Sequence, residues 1–360
     1  MIQLLNDIRQ LSQQKSAFKI AILYLLLLLV FILVLPILPM AYGPNELDLQ
    51  YTFAGPFTSG TDGLHWLGTD ALGRDVLSNT LYGARSALLI SVQVMLFATG
   101  LGLLLGMSAG YLGNNGLKIS RAALPVTLLA LFVFFYYGVY VPYSLAKTAL
   151  PLKYTWFSLL LLLFLLLFLY RLLLPLLKKW HVAAVTSSLP LDYIVLRLTE
   201  AFTSIPRLLL ILALASFMQP SVLLLSVIFA ATFWPSSARL ARAEMLKIKQ
   251  LPYFEAAQSL GVTPLHLLTK HAMPNMLGPI IVTFTFGVAD LLALESTLSF
   301  LGIGVPGTFV SWGRTIAGIR TNTSAWWLVV FPGAALATTV WALQTVSFHL
   351  LNYFEERKQL

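Results

Sequence analysis

Cysteine is absent from this chain of 360 residues, and charged side chains are scarce. Without cysteine the chain can form no disulfide, no thiolate nucleophile and no cysteine-ligated zinc or iron–sulfur site. Only 10% of the residues are charged, whereas soluble domains carry about 25%. Because 58% of the sequence is apolar, a water-soluble enzyme, a disordered linker and a secreted disulfide scaffold are all disfavoured.

Motifs for catalysis are also missing. The sequence has no Gly-x4-Gly-Lys-Ser/Thr phosphate loop, no His-Glu-x-x-His pair and no Gly-x-Ser-x-Gly nucleophile elbow. Its five histidines are scattered along the chain. We therefore predict that the chain is not an enzyme and that it binds no metal and no cofactor of its own.

The net charge of +9 has two readings. Such an excess can indicate a nucleic-acid partner, but in membrane proteins it collects on cytoplasmic loops. The sequence has no basic stripe with interleaved aromatic residues. We therefore predict that the chain lies in a lipid bilayer and does not bind nucleic acid.

Long apolar runs dominate the sequence. A membrane helix needs about 20 apolar residues, and the first run is longer than the roughly 7–15 residues of a signal-peptide core, so we interpret it as a retained anchor. The fold class that follows is all-α, a polytopic membrane helix bundle with about eight spans. We place the spans at about residues 20–40, 86–112, 122–145, 154–177, 194–218, 221–240, 277–300 and 325–352.

Basic residues predict the orientation of this bundle. With the N-terminus inside, 16 of the 23 Lys and Arg residues fall on cytoplasmic segments and 6 on external ones. Because cytoplasmic loops accumulate Lys and Arg, both termini are predicted to be cytoplasmic. Residues 42–83 then form an external, turn-rich connector with too few apolar residues for a core of its own.

The polar interval between the sixth and seventh spans has the pattern of two short helices. Pro252 suits the first turn of a helix, and Gly261 suits the left-handed position after its end. Thr263 and Pro264 predict the start of a second helix, which Pro274 is expected to end. The pattern allows two interpretations: a docking helix that projects from the membrane, or an amphipathic loop on the bilayer surface.

Specific residues favour the docking helix, because this loop resembles the EAA motif of ABC importer permeases. The resemblance extends along residues 60–118 and 190–350, where the motifs occur in the order typical of the oligopeptide/dipeptide "C" permease subunit. They are Glu255-Ala256-Ala257 with Gly261, Lys270-His271 and Pro274-Asn275; His65 to Ser78 and Tyr82 to Arg85; Ser204-Ile205-Pro206; Leu298 to Gly304; and Ser311-Trp312-Gly313-Arg314.

The resemblance implies a permease subunit of an ATP-driven importer that moves di- or oligopeptides by alternating access. It implies four kinds of partner: a second permease of similar fold, two ATP-binding subunits, an external substrate-binding protein and the bilayer. ATP and Mg would bind the ATPase subunits, which would dock at residues 244–275. The residues implied in coupling are Glu255, Ala256, Ala257, Gly261 and Pro274.

Comparison with this family suggests a division of the chain. Residues 1–83 would be the anchor span and external connector, residues 84–350 the permease transmembrane domain and residues 351–360 a cytoplasmic tail. Members of the family usually have six spans, so we interpret residues 118–189 as an inserted two-span hairpin. That hairpin is either a peripheral lipid-facing element, which we favour, or a docking site for an accessory membrane subunit.

Charged residues inside the predicted spans are candidates for the translocation path, because intramembrane charges are costly and often functional. Arg207, Asp290 and Glu295 form this candidate set. Glu200 lies seven residues before Arg207 and would share its helix face, although a hydrated position near the cytoplasmic end is favoured for it. For Glu295, which adjoins the Leu-Ser-Phe-Leu-Gly motif, a structural or gating role is favoured over substrate contact.

Other functions remain open on the sequence. An importer of nickel chelates, glutathione or another small solute would share the same motifs. A secondary transporter would show paired repeats with interrupted helices and mid-membrane acids, for which Asp290 is the only candidate. A lipid-modifying enzyme would need His, Asp or Glu clustered at one interface, which the sequence does not show.

Overall fold

A computed structural model describes residues 15–147, 152–179, 185–217 and 219–359 of the chain. The predicted end of the fifth span at Met218 lies outside the described residues, as do the first fourteen residues and the final one. What is described is helical, with two small two-stranded sheets, so the all-α fold class is confirmed.

The chain divides into two compact units. The first combines Met1–Gly110 with Val195–Leu360, and the second is Tyr111–Ile194. The second unit contains the two spans that we interpret as an insertion. Whether it is an insertion in the evolutionary sense stays a prediction.

Eight helices of the first unit build the membrane bundle and its loops, and two of them, α2 and α7, extend a few residues into the second unit. They are α1 (Ser16–Val34), α2 (Val76–Leu112), α7 (Leu191–Thr203), α8 (Arg207–Ser216), α9 (Val222–Lys249), α10 (Pro252–Ser259), α12 (Met273–Leu301) and α14 (Trp327–Gln359). Two short helices, α11 (Pro264–His266) and α13 (Trp312–Ala317), complete this unit. The strands β1 (Thr58–Ser59) and β2 (Leu64–His65) pair antiparallel in the connector.

Helix α3 (Ala123–Val133) continues through a π-helical turn into α4 (Val141–Lys147), and α5 (Leu152–Phe168) continues through another into α6 (Leu174–Lys178). These two composite helices belong to the second unit, where β3 (Leu117–Ser120) pairs antiparallel with β4 (Thr186–Leu189).

Seven helices among the described residues are long and apolar enough to cross a membrane, and the count is eight if one bent pair forms a single span. The prediction of about eight spans agrees with this count. The second span begins at Val76, about ten residues before its predicted start.

The bent pair corrects the fifth predicted span. α7 and α8 meet at an angle of 79°, with the break at Ser204-Ile205-Pro206. Proline has no N–H to donate, and it disfavours helical geometry in the residue before it. The sequence-based expectation of one continuous helix, with Glu200 and Arg207 on one face, is therefore wrong.

Three glycines on α2 allow that helix to pack closely on α9. A Cβ on Gly102 would lie 2.6 Å from the Trp234 carbonyl oxygen, and one on Gly110 would lie 2.8 Å from the Met245 Cβ. A Cβ on Gly106 would collide with the Ala238 carbonyl oxygen. Small residues four apart let membrane helices approach backbone to backbone, so this seam fixes α2 against α9. The Gly-x3-Gly-x3-Gly spacing of residues 102, 106 and 110 is the sequence signal for this seam.

Large side chains fill the bundle on either side of this seam. Phe229, Ile211, Leu291 and Leu292 are fully buried in one cluster that joins α8, α9 and α12. Trp312 is also fully buried there, and its indole N–H donates to the Thr80 carbonyl oxygen at 2.8 Å. This contact holds the short helix α13 against the start of α2.

Candidate functional site

The first candidate site is the loop between α9 and α12, which is predicted to be cytoplasmic. Its first helix, α10, covers Pro252–Ser259, close to the segment expected from the sequence. Pro252 occupies the first turn, where a missing N–H has no cost. The loop therefore contains a separate short helix of eight residues rather than an irregular surface loop.

Gly261 ends α10 with the geometry that the sequence predicted. Its φ is +77°, in the left-handed region that glycine enters without a Cβ clash. The N–H of Gly261 donates to the Gln258 carbonyl oxygen at 3.0 Å, and the N–H of Val262 donates to the Ala257 carbonyl oxygen at 3.2 Å. This pair of hydrogen bonds is a Schellman motif, and it turns the chain sharply towards Thr263.

Two contacts tie α10 to the neighbouring helices. Phe254 is fully buried, and the Asn275 amide donates to the Tyr253 hydroxyl at 3.0 Å. Partial burial raises the pKa of Tyr253 further above neutral pH. The Asn275–Tyr253 hydrogen bond thus connects α10 to α12.

The opposite side of α10 is open. Glu255 and Ala256 are exposed and Ala257 is half-buried. Leu260 and Leu265 are 84% and 73% exposed. Exposed large apolar side chains that lie together are typical of a surface that another molecule covers. The arrangement provides one carboxylate, two small residues that permit close approach, and two apolar contacts.

Pro274 does not end the second helix of the loop, contrary to the prediction. α11 passes through a π-helical turn, Leu267–Ala272, directly into α12. Pro274 is the second residue of α12, which directly follows the π-helical turn, where the i→i−4 hydrogen-bond pattern is already interrupted, so its missing N–H is tolerated. The loop is thus continuous with the membrane helix, and its motion and that of α12 are linked by the backbone itself.

The second candidate site is an open cavity of about 200 Å³ at the surface of the membrane bundle. It lies among α2, α8, α9 and α12, and both Arg207 and Asp290 line it. The sequence predicted both residues as candidates but did not predict that they share a cavity. The other lining residues are Met95, Phe233, Ser236, Ser237, Thr283, Phe286 and Gly287. Sequence reasoning missed these neutral residues, because nothing in their local pattern separates them from ordinary helix packing.

Arg207 is held at one wall of the cavity. Its guanidinium carbon lies 4.0 Å from the Phe233 ring centroid, and its Nη2 donates to the Ser236 hydroxyl at 3.4 Å. Arg207 and Asp290 attract each other, but the two side chains do not form a direct ion pair. Asp290 is exposed on the surface of this chain, so the cavity presents a cation and an anion to whatever enters it.

Glu295 lies outside this cavity. It is fully buried, and its carboxylate accepts hydrogen bonds from the Ser299 and Ser296 hydroxyls at 2.6 and 3.4 Å. The Ser311 hydroxyl, at the start of α13, is a further hydrogen-bonding neighbour. Glu295 therefore connects α12 to the start of α13, and its structural or gating role stays a prediction.

Glu200 also lies away from the cavity. Its carboxylate is exposed and pairs with Arg197 at 2.8 Å on α7. The hydrated position favoured from the sequence requires such exposure and stays a prediction. Within the described residues, no group of three His, Asp or Glu side chains is arranged to hold a metal ion.

A bundle of membrane helices, a charged cavity within it and a helix that stands clear of it together define a membrane transport subunit. Comparison with known proteins makes this assignment specific. Residues 181–359 match the family described as the inner membrane component of binding-protein-dependent transport systems. This stretch of the chain has the sequence pattern of that family of permeases, and the chain is a multi-pass inner membrane protein.

Similar proteins cover nearly the whole chain. One, from Brucella suis, is 25% identical over 97% of this chain and 90% of its own length, and carries the provisional name of peptide transport system permease protein. Another, from Bacillus subtilis, is 26% identical over 89% of this chain and 77% of its own length and is named dipeptide transport system permease protein DppC. These matches extend well beyond residues 181–359 into the N-terminal half.

Proposed function

We propose that this chain is the permease subunit of an ATP-driven importer of di- or oligopeptides, and that α10 is its coupling helix. The observation that carries the proposal is the Glu255-Ala256-Ala257 segment, in which Glu255 and Ala256 are exposed and Ala257 is half-buried, on a helix that is hydrogen-bonded to α12. The peptide substrate is supported by the names of the similar proteins from Brucella suis and Bacillus subtilis.

In this proposal two ATP-binding subunits dock at residues 244–275, one on this chain and one on a second permease of similar fold. Binding of ATP and Mg to those subunits would move α10, and the continuous helix from Pro264 to Leu301 would carry that motion into the membrane. The permease chain itself contributes no catalytic group. An external binding protein would deliver the peptide.

The proposed translocation path includes the cavity of Arg207 and Asp290. Its two charges are complementary to the termini of a peptide, since Asp290 can attract the amino group and Arg207 the carboxylate. Both charges are costly to keep in a membrane, which supports a role in transport. Glu295 would hold the outer end of α12 against α13 without touching the peptide.

The coupling assignment is tested by Glu255→Lys and Gly261→Asp. Each variant is expected to assemble with its partners but to lose most ATP-driven uptake, because the first reverses the docking charge and the second strains the left-handed turn. The measurement is uptake of labelled dialanine into proteoliposomes, with assembly checked by co-purification of the ATPase subunits.

Glu200→Lys is the matched control, because it makes the same change at an exposed carboxylate outside the loop. It should transport at the wild-type rate. Normal uptake by both loop variants would refute the coupling assignment, and failure of the wild-type complex to import any of a panel of di-, tri- and pentapeptides would refute the peptide substrate.

A further inference from the structure

A second polar cavity lies on the face of the first unit that is predicted to be external. Its volume is about 130 Å³. Asp70 and Arg74 come from the connector, and Arg314 comes from α13, some 240 positions later in the chain. The cavity thus joins two of the motifs singled out in the sequence, neither of which has a part in the function proposed above.

One of its two arginines is already neutralised. Arg74 Nε lies 3.2 Å from Asp70 Oδ2, and Arg74 Nη1 donates to the Asn45 side-chain oxygen at 3.1 Å. The other Asp70 oxygen accepts the backbone N–H groups of Leu72 and Arg74 at 2.8 and 3.0 Å. Asp70 is therefore committed to Arg74 and to its own turn.

Arg314 has no such partner. Its Nη1 donates to the Phe309 carbonyl oxygen at 3.1 Å, and among the described residues no carboxylate lies within 4.0 Å of its guanidinium. Burial lowers the pKa of Arg314, as does the nearby charge of Arg74, while Asp70 opposes the shift. An arginine stays protonated even so, which leaves one uncompensated, partly buried positive charge.

A larger cavity of about 450 Å³ adjoins this site and shares Arg314 and Thr321 with it. Arg320 also lines it, with its guanidinium carbon 4.1 Å from the Phe300 ring centroid. None of the residues that line this larger cavity is acidic. A small anionic group could thus reach Arg314 while the molecule that carries it occupies the neighbouring space.

We propose that Arg314 binds a single carboxylate presented at the outer face of the permease. The guanidinium fork matches a carboxylate in two parallel hydrogen bonds. Arg74, Arg314 and Asp70 leave a net charge of one positive unit, which a monoanion cancels, whereas a phosphate dianion would meet repulsion from Asp70. Resting on the proposed function, this carboxylate is the C-terminus of a peptide or an acidic side chain of the external binding protein.

Two binding assays that need no ATP test the proposal and separate the two sources. The first measures how far dialanine, or dialanine amide, raises the melting temperature of the purified complex without the binding protein. The second measures the affinity of the complex for the external binding protein. Both use Arg314→Gln, Arg314→Lys and the control Arg85→Gln, since Arg85 lines neither cavity.

If the carboxylate belongs to the peptide, dialanine raises the melting temperature of the wild type and its amide does not. Arg314→Gln then needs about ten times more dialanine for the same rise. If it belongs to the binding protein, Arg314→Gln lowers that affinity about tenfold, and salt weakens the wild-type complex more than the variant. In either case Arg314→Lys should retain part of the effect, because it keeps the charge and loses the fork.

Wild-type results from Arg314→Gln in both assays would overturn the proposal, provided that the variant melts at the wild-type temperature without ligand. A general loss of stability in Arg314→Gln that Arg314→Lys does not repair would assign Arg314 to loop packing at Phe309 and overturn it as well. If the wild-type complex binds its partner but imports no peptide, the proposed function fails instead.

Discussion

Arg207 and Asp290 are two charged residues whose possible role depends on the cavity that they share. Each is an isolated charge in an apolar stretch of sequence, and each could have been a hydrated residue at a helix end. In the structure they line one cavity, with Arg207 stacked on Phe233. An intramembrane cation and anion that share a cavity without pairing directly are available to a zwitterionic solute.

This arrangement predicts that Asp290→Asn and Arg207→Gln each raise the KM for dialanine uptake about tenfold, since each removes one charged hydrogen bond to a peptide terminus. Uptake kinetics in proteoliposomes would measure this. Thr297→Val is the control, because Thr297 lies on the same helix but bonds only to the Ala293 carbonyl oxygen.

The double variant distinguishes substrate contact from mutual compensation. If the two charges hold the peptide, Arg207→Gln with Asp290→Asn should be worse than either single variant. Recovery of the wild-type KM in the double variant would show that the two charges serve mainly to balance each other, and it would contradict their place in the path.

At the scale of whole helices, the glycine seam between α2 and α9 determines how closely the bundle packs. The helix backbone needs no glycine at these positions, and alanine would give a more stable isolated helix. The glycines are required by the partner helix, whose carbonyl groups lie where side chains would otherwise be. The seam also positions Ser237, beside Ala238, at the cavity of Arg207.

Gly106→Ala is therefore expected to destabilise the bundle by about 1–3 kcal/mol, because the added Cβ collides with the Ala238 carbonyl oxygen and overpacks the seam. Gly100→Ala is the matched control. No atom lies within 4 Å of its added Cβ, so it should be neutral or stabilising by up to about 1 kcal/mol. Reversible denaturation in detergent micelles would compare them, and equal stability of the two variants would contradict the seam.

At the scale of the first unit, the connector is ordered by a buried polar network as well as by apolar packing against the start of α14. His65 is fully buried between Asp75, 3.0 Å from its Nδ1, and Asp48, 3.5 Å from its Nε2. Tyr42 stacks on the His65 ring at 4.1 Å between centroids. The expectation that the connector lacks enough apolar residues for a core agrees with this arrangement.

The network predicts an acid sensitivity of the connector. Two hydrogen bonds from Thr61 lower the pKa of Asp48 below its ordinary value of 3.8, and the one from the Thr61 side chain has a larger effect than the one from its backbone. A carboxyl with a depressed folded pKa stabilises the fold above its unfolded pKa, and this contribution is lost as the pH falls through the folded value. The connector should thus loosen below about pH 4.

Cleavage by pepsin at fixed pH values between 4 and 2, compared between variants at each pH, would measure this loosening. Asp48→Asn should make the connector more susceptible at pH 4 and should flatten the dependence on pH. The exposed Asp62, substituted as Asp62→Asn, serves as control. An unchanged pH profile in Asp48→Asn would show that Asp48 does not supply the acid-sensitive group.

The sequence by itself determined what depends on local composition and local backbone preference. Apolar runs of membrane length define the spans, and Pro252 with Gly261 defines the ends of α10, because such signals act within a few residues of the chain. The same local reasoning failed at Pro274 and at the break before Arg207. There the outcome depends on whether neighbouring turns can rearrange their hydrogen bonds, which no single residue type specifies.

Only the tertiary structure decided which distant residues meet. It brought Arg207 and Asp290 to one cavity, placed Glu295 beside Ser311 at the start of α13, and set Arg314 beside Arg74 and Asp70. Such contacts depend on how helices pack, through features such as the glycine seam of α2, and packing joins residues far apart in the chain. The scarce charges therefore identified a membrane protein, but their positions in the fold decided what each charge can bind.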